Sequence, residues 1–185
     1  MEIILMRHGK PAFNGAATLP ASDMADWIAQ YDLAGIGRDI PPEAGGELAR
    51  RARITVSSPL PRALASLKAL GREPRLIDEV FSEAALPVYP LPGLRLSPAS
   101  WAVLFRVMWL CGLSRNVESL TMAKRRARQA AGTLINMANE DDGPVLLMGH
   151  GMMNRLIAKE LMAQGWRVCS RHGNAYWSKG VYQLG

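Results

Sequence analysis

Residues 3–9 read Ile-Ile-Leu-Met-Arg-His-Gly, and residues 145–151 read Val-Leu-Leu-Met-Gly-His-Gly. Each is an unbroken apolar run that stops at a histidine and a glycine. A short run without alternation, bounded by turn residues, fits a strand buried on both faces, as in a parallel sheet. Arg53–Ser57 is a third run of this kind, and it leads into Ser57-Ser58-Pro59-Leu60-Pro61-Arg62.

The segments between these runs supply helices. Ser22–Leu33 has helical spacing, with Ser22 placed as an N-cap. Glu43–Arg51 forms a short helix that feeds the Arg53–Ser57 strand. Pro61 suits the first turn of a helix running to Leu70, because its missing N–H is unpaired there in any case. Arg75–Ile77 is a short strand. Two helices follow, near Pro98–Leu113 and Asn116–Asn139, then a turn at Asp141-Asp142-Gly143. Met152–Gln164 is the helix behind the Val145–Met148 strand. The closing Tyr-Trp-Ser-Lys-Gly-Val-Tyr-Gln-Leu reads as a last edge strand. Residues 10–21, 35–42 and 87–98 read as loops, the last because its prolines remove donors and fix φ. Strands alternating with helices predict an α/β fold, a three-layer α/β/α sandwich around a mostly parallel sheet.

At 185 residues the chain is expected to form a single domain, 1–185, with a core that needs no disulfide staple. Cys111 and Cys169 form no CxxC and read as reduced, packed thiols of a cytoplasmic protein, with one disulfide as the alternative. The start carries Glu2 and is too short for a signal peptide. The most apolar stretch, Trp101–Leu113, holds Arg106 and falls short of a membrane span. Its apolar groups exceed one helix stripe, so it is wholly core, or one face makes a homodimer contact or a wall over a pocket. The net charge of +6 fits an enzyme for anionic substrates. Nucleic-acid binding is disfavoured: the run Lys124–Arg128 sits in a helix, with no aromatic interleaving or zinc spacing.

In an open parallel sheet, ligands bind beyond the carboxyl ends of the strands. If the three strands are neighbours, Arg7, His8, Arg62 and His150 meet there, and the chain has only 3 histidines. Arginine's planar fork binds phosphoryl oxygens in pairs. A neutral imidazole nitrogen can attack phosphorus and form a covalent intermediate. Glycine beside each histidine lets backbone approach a ligand. The second Arg-His-Gly, Arg171-His172-Gly173, follows no buried strand, and His172 reads as loop. Cys-x5-Arg, Asp-x-Asp, a P-loop, HExxH and clustered metal ligands are all absent from the sequence.

With these segments in this order, the chain resembles the histidine phosphatase superfamily, which includes the phosphoglycerate mutases. The Leu-Met-Arg-His-Gly start, the Ser-Ser-Pro-Leu-Pro-Arg-Ala segment and the Leu-Leu-Met-Gly-His-Gly segment carry the resemblance. It implies a phosphoglycerate mutase-like fold with His8 as the phosphorylated nucleophile. Arg7, Arg62 and His150 would bind the phosphoryl group. Phe13-Asn14 falls where the family often has Trp-Asn, which adds Asn14 to the substrate-binding set. The family's general acid is a Glu after the third strand; Glu83 is favoured over Glu79, and Glu118 is given a supporting role. Lys10 and Pro11 replace the Glu and Ser of the mutases, and the chain lacks their long insertions, which favours hydrolysis. The implied activity is a phosphomonoester hydrolase needing no cofactor or metal, acting on a small anionic phosphorylated metabolite or a phosphoprotein. A phosphomutase and a catalytically silent phospho-ligand scaffold are the alternatives.

Overall fold

The computed structural model describes residues 1–140, 143–173 and 175–185. In chain order the elements are β1 (Glu2–Arg7), β2 (Leu19–Pro20), α1 (Met24–Asp32), α2 (Glu43–Arg51), β3 (Ile54–Ser57), α3 (Pro61–Ala69), β4 (Leu76–Ile77), β5 (Arg95–Leu96), α4 (Pro98–Leu110), α5 (Leu120–Glu140), β6 (Val145–Gly149), α6 (Gly151–Ala163), β7 (Trp166–His172) and β8 (Lys179–Leu184). The main sheet has the order β4-β3-β6-β1-β8-β7, and β2 pairs with β5 apart from it. β1, β3, β4 and β6 run parallel, while β8 is antiparallel to both β1 and β7.

Alternation along β1 divides the core between the two faces. Ile3 and Leu5 join Ile54, Val56, Val145 and Leu147 beneath α5 and α6. Ile4 and Met6 join Leu146 and Met148 beneath α2 and α3. Helix α5 approaches the sheet along an alanine stripe, Ala123, Ala127, Ala130, Ala131 and Ala138, with Leu134 among them. A third cluster lies away from the sheet, where Trp101 and Phe105 of α4 pack on Leu19, Ala21 and Met24. The expected α/β/α layering is what the chain forms.

Several local expectations change. The closing strand β8 is not an edge; it lies between β1 and β7, and β7 is the edge. β7 is mostly exposed, so it lacks the apolar run that marks a buried strand, and His172 ends it rather than lying in a loop. Ser22 caps no helix: a 3-10 turn at Ala21–Asp23 precedes α1, and the Ser22 hydroxyl donates to Asp23. The Pro-rich stretch is not wholly irregular, since Arg95–Leu96 pairs with Leu19–Pro20. Asn116 has φ 56°, a left-handed conformation that a helix cannot include, and α5 begins at Leu120. Cys111 and Cys169 are free and exposed rather than packed. The turn expected at Asp141-Asp142-Gly143 rests on two residues outside the described ones.

Helix α4 turns out to divide its apolar groups. Trp101, Phe105 and Trp109, spaced by four, are fully buried, whereas Val103 is 65% and Val107 52% exposed. Trp109 also donates its indole N–H to the Glu118 carbonyl at 2.8 Å, and the Arg106 guanidinium lies over its ring. Trp109→Ala should lower unfolding free energy by about 3–5 kcal/mol through lost burial and the cavity left behind. Trp109→Phe should lose less, because most of the ring volume stays. Urea unfolding of the three proteins measures both values.

Candidate active site

β1 and β6 are direct neighbours, with Arg7 in register with Gly149. Both chains therefore leave the sheet side by side, and His8 N–H donates to the Gly149 carbonyl at 3.1 Å. The His8 and His150 rings stand 5.0 Å apart, tilted by 56°. His8 Nδ1 lies 2.7 Å from the Gly9 carbonyl. A carbonyl only accepts, so Nδ1 carries the proton and Nε2 keeps its lone pair. Gly9 is required sterically: a Cβ there would lie 2.5 Å from the Trp177 ring. Its N–H donates to Ser66 Oγ, which itself donates to the Arg62 carbonyl, tying α3 to the end of β1.

Arg62 follows Pro61 at the start of α3, and its side chain is 4% exposed. One Nη donates to Asp32 at 2.8 Å, and the guanidinium lies 4.9 Å from the Tyr31 ring centre. Arg7 is placed likewise over Tyr176, at 4.7 Å. Burial first, then the neighbouring Tyr176, raises the Tyr31 hydroxyl above its ordinary range. Cation–π contact of this kind holds a guanidinium without neutralising it. Arg62 Nε is buried and has no hydrogen-bond partner.

His150 is fully buried, heads α6, and lies 2.6 Å from Ser58 Oγ through Nε2, while its Nδ1 has no partner. The second and third backbone amides of α6, at Met152 and Met153, donate to the Glu83 carboxylate at 3.0–3.2 Å. A carboxylate at a helix N-terminus satisfies amides that have no partner within the helix. Glu83 is held from the other side as well. Arg126 pairs with Glu118 and donates to the carbonyls of Val80 and Ser82, fixing the turn that precedes Glu83.

Arg7, His8, Arg62 and Glu83 line one cavity of about 1,320 Å³, with Asp32 and Tyr176 beside them. His150 stands behind His8 and does not line it. Glu79 is turned away from the cavity, its carboxylate accepting from the Ser82 hydroxyl at 2.6 Å. Asn14 is exposed and lies outside the lining, because Phe13 takes the inward place, edge-on to Trp27 and Tyr31. Tyr31, Asp32 and Tyr176 were not singled out by the sequence. In the sequence Tyr31 and Asp32 belong to the helix expected over Ser22–Leu33, and Tyr176 opens the expected closing strand, with nothing to join them. Among the described residues, no group of three or more His, Cys, Asp or Glu side chains could hold a metal ion.

Charge is arranged for an anion. Burial, then the neighbouring His150, Arg62 and Arg7, push His8 down to about 3, against the opposing pull of the Gly9 carbonyl. Burial and the arginines push His150 well below the ordinary histidine range. Both rings are therefore neutral at pH 7, which leaves His8 nucleophilic.

The family model described as histidine phosphatase superfamily (branch 1) matches residues 3–183. No curated protein matches the chain. Among solved structures it is similar to an open reading frame product of Mycobacterium tuberculosis, at 16% identity and TM-score 0.62, covering 100% of this chain and 95% of that one. A mycobacterial glucosyl-3-phosphoglycerate phosphatase in complex with VO3 gives 18% and 0.59, covering 100% and 96%. A protein called mycobacterial hydrolase 1 gives 21% and 0.56, covering 88% and 78%. These likenesses concern the fold.

The depressed histidines make stability depend on pH. An unfolded histidine takes its proton near pH 6.5, whereas folded His8 resists until about 3. Between those values the unfolded chain binds more protons, so stability falls as pH falls from 6.5. Each such histidine contributes at most about 1.4 kcal/mol per pH unit. Urea unfolding from pH 7 to 5 should give a steeper slope for the wild type than for His8→Gln. Equal slopes would mean that folded His8 titrates in the ordinary range.

Proposed function

The chain belongs to the histidine phosphatase superfamily, branch 1, and from that premise we propose that it is a phosphomonoester hydrolase working through a phosphohistidine on His8. The observation that carries this reading is the His8 Nδ1 bond to the Gly9 carbonyl, which leaves Nε2 unprotonated in a cavity lined by Arg7 and Arg62. In the first step the Nε2 lone pair attacks phosphorus and the P–O bond to the alcohol breaks. The departing oxygen takes a proton from the Glu83 carboxyl. In the second step water attacks phosphorus, Glu83 takes back a proton, and the P–N bond breaks to release phosphate and restore Nε2.

Arg7 and Arg62 hold the equatorial oxygens, with charge placed before the reaction starts. The unpartnered Arg62 Nε supports this, since its N–H would gain an acceptor from a bound phosphoryl group; His150, outside the lining, has no such support. Glu83 is supported as the acid by its place in the lining, and Glu79 is not. Asn14 has no such support. The arginines supply the positive charge, so the reaction runs without a metal in this reading. Hydrolysis is preferred to a phosphomutase because Lys10, which lines the cavity, puts a cation where the mutases have Glu. We assign the protein to the cytoplasm and its substrate to a phosphorylated metabolite or phosphoprotein.

Incubation with labelled substrate and rapid quenching should trap phosphate on His8, stable to base and lost in acid, and His8→Ala should lose label and activity together. An adduct on Cys, Ser or Asp would end the histidine mechanism. EDTA should leave the rate unchanged.

Glu83→Gln should slow an alkyl phosphate by about 10²–10⁴. For p-nitrophenyl phosphate, whose leaving group needs little protonation, the loss should be smaller. Glu79→Gln should show no such dependence on leaving group. If the dependence follows Glu79, the acid has been misassigned while the nucleophile stands.

A further inference from the structure

The cavity is far larger than the phosphoryl end requires. Ligand pockets ordinarily span about 300–1,000 Å³, and this one exceeds that at about 1,320 Å³. Beyond His8 its walls come from α1, α4 and the Pro-rich stretch, which send Trp27, Ile28, Leu86, Val88, Val103 and Val107 to its surface. Trp27 and Tyr31 stack at 5.1 Å and 14°, with Phe13 edge-on at 5.2 Å from Trp27. The Arg62 guanidinium lies over Tyr31, so this aromatic surface begins at the phosphoryl site and runs outward from it.

Most polar groups along the wall are already occupied, the Trp27 indole N–H and one Nη of Arg106 being without a partner. Ser22 donates to Asp23, and Ser97 Oγ accepts from the Ser100 amide at the start of α4. Arg106 donates to the Ala84 carbonyl at 2.6 Å and faces the charges of Glu83 and Glu118. Lys10, Arg115 and Arg155 line the cavity as exposed side chains, where solvent screens a charge. A sugar or polyol phosphate would bring hydroxyls to a wall with few free partners, and each unpaired hydroxyl weakens binding. An apolar body would instead cover Val103 and Val107.

We infer that this outer cavity is an apolar leaving-group subsite, and that the substrates are phosphomonoesters of an apolar alkyl or aryl alcohol. The inference relies on the phosphatase reading for the position of the phosphoryl group. The subsite sets which alcohol is accepted, while the residues around His8 act on the phosphoryl group whatever it carries.

The test is calorimetric binding of n-alkylphosphonates from methyl to octyl, which cannot be hydrolysed, to the full chain. Kd should fall by about two- to fourfold per methylene until the wall is filled. The binding heat capacity should grow more negative along the series, as apolar burial requires. Val103→Asp and Val107→Asp should each flatten the series, and both side chains are exposed enough to change without opening the core. A flat series in the wild type, or tighter binding of 3,4-dihydroxybutylphosphonate than of butylphosphonate, would overturn the subsite. Hydrolysis of p-nitrophenyl phosphate is measured alongside, with His8→Ala as its control. A sloped series without His8-dependent hydrolysis keeps the subsite and removes the phosphatase reading. His8-dependent hydrolysis with a flat series removes the subsite alone.

Discussion

The structure depends on keeping positive charge together in a buried place. Arg7 and Arg62 share one cavity with His8, and each opposes protonation of His8 and His150. Like charges at short range repel, and burial strengthens the repulsion. Three features offset it. Both imidazoles are neutral, so two potential charges are absent. Asp32 pairs with Arg62 at 2.8 Å. Each guanidinium also faces an aromatic ring, Tyr176 for Arg7 and Tyr31 for Arg62. The register of β1 against β6 then fixes where the cluster sits. On the proposed reading, an arriving dianion meets donors that are already oriented, so little reorganisation is left for the reaction.

Helix α6 positions both Glu83 and His150. His150 immediately precedes it, and the amides of Met152 and Met153 hold Glu83. The carboxylate and the second histidine are thus positioned by one helix start, within three consecutive peptide units. The Arg126–Glu118 pair fixes the approach to Glu83 from outside the cavity. Glu118 thus reaches the turn before Glu83 only through Arg126 and backbone carbonyls.

What the sequence disclosed follows from where the information lies. β1, β3 and β6 are buried on both faces, so each appears as a local apolar run, and the residue types that end them state a chemistry. Arg7, His8 and Arg62 could be placed in one cavity from those runs alone; His150, expected among them, stands behind His8 instead. β7 escaped notice because an exposed strand has no such run; its pairing with β8 is a tertiary fact. Tyr31, Asp32 and Tyr176 escaped for the same reason. Each gains its role from a partner distant in sequence, and a lone tyrosine or aspartate carries no spacing rule. Helix α4 was legible only to a set of alternatives, because a helix apolar on most sides does not say which side is covered. The contacts resolve it: Trp101, Phe105 and Trp109 make the core face, and Val103 and Val107 the cavity wall.

That division of α4 bears on how the site is built. The groups proposed to be catalytic stand on the sheet and its two flanking clusters, which alternate faces along β1. The outer wall stands on a third cluster, in which Trp101 and Phe105 stack at 5.3 Å and Trp101 donates to the Leu19 carbonyl. Substitutions at Val103 or Val107 change the cavity surface without entering any of the three cores. Substitutions at Trp101 or Phe105 would instead move the whole wall relative to His8. On the proposed reading, the fold separates the parts that must stay fixed for phosphoryl transfer from the part that can vary with the alcohol. Such a separation is expected wherever rigid strands carry the chemistry and the connecting segments carry the choice of substrate.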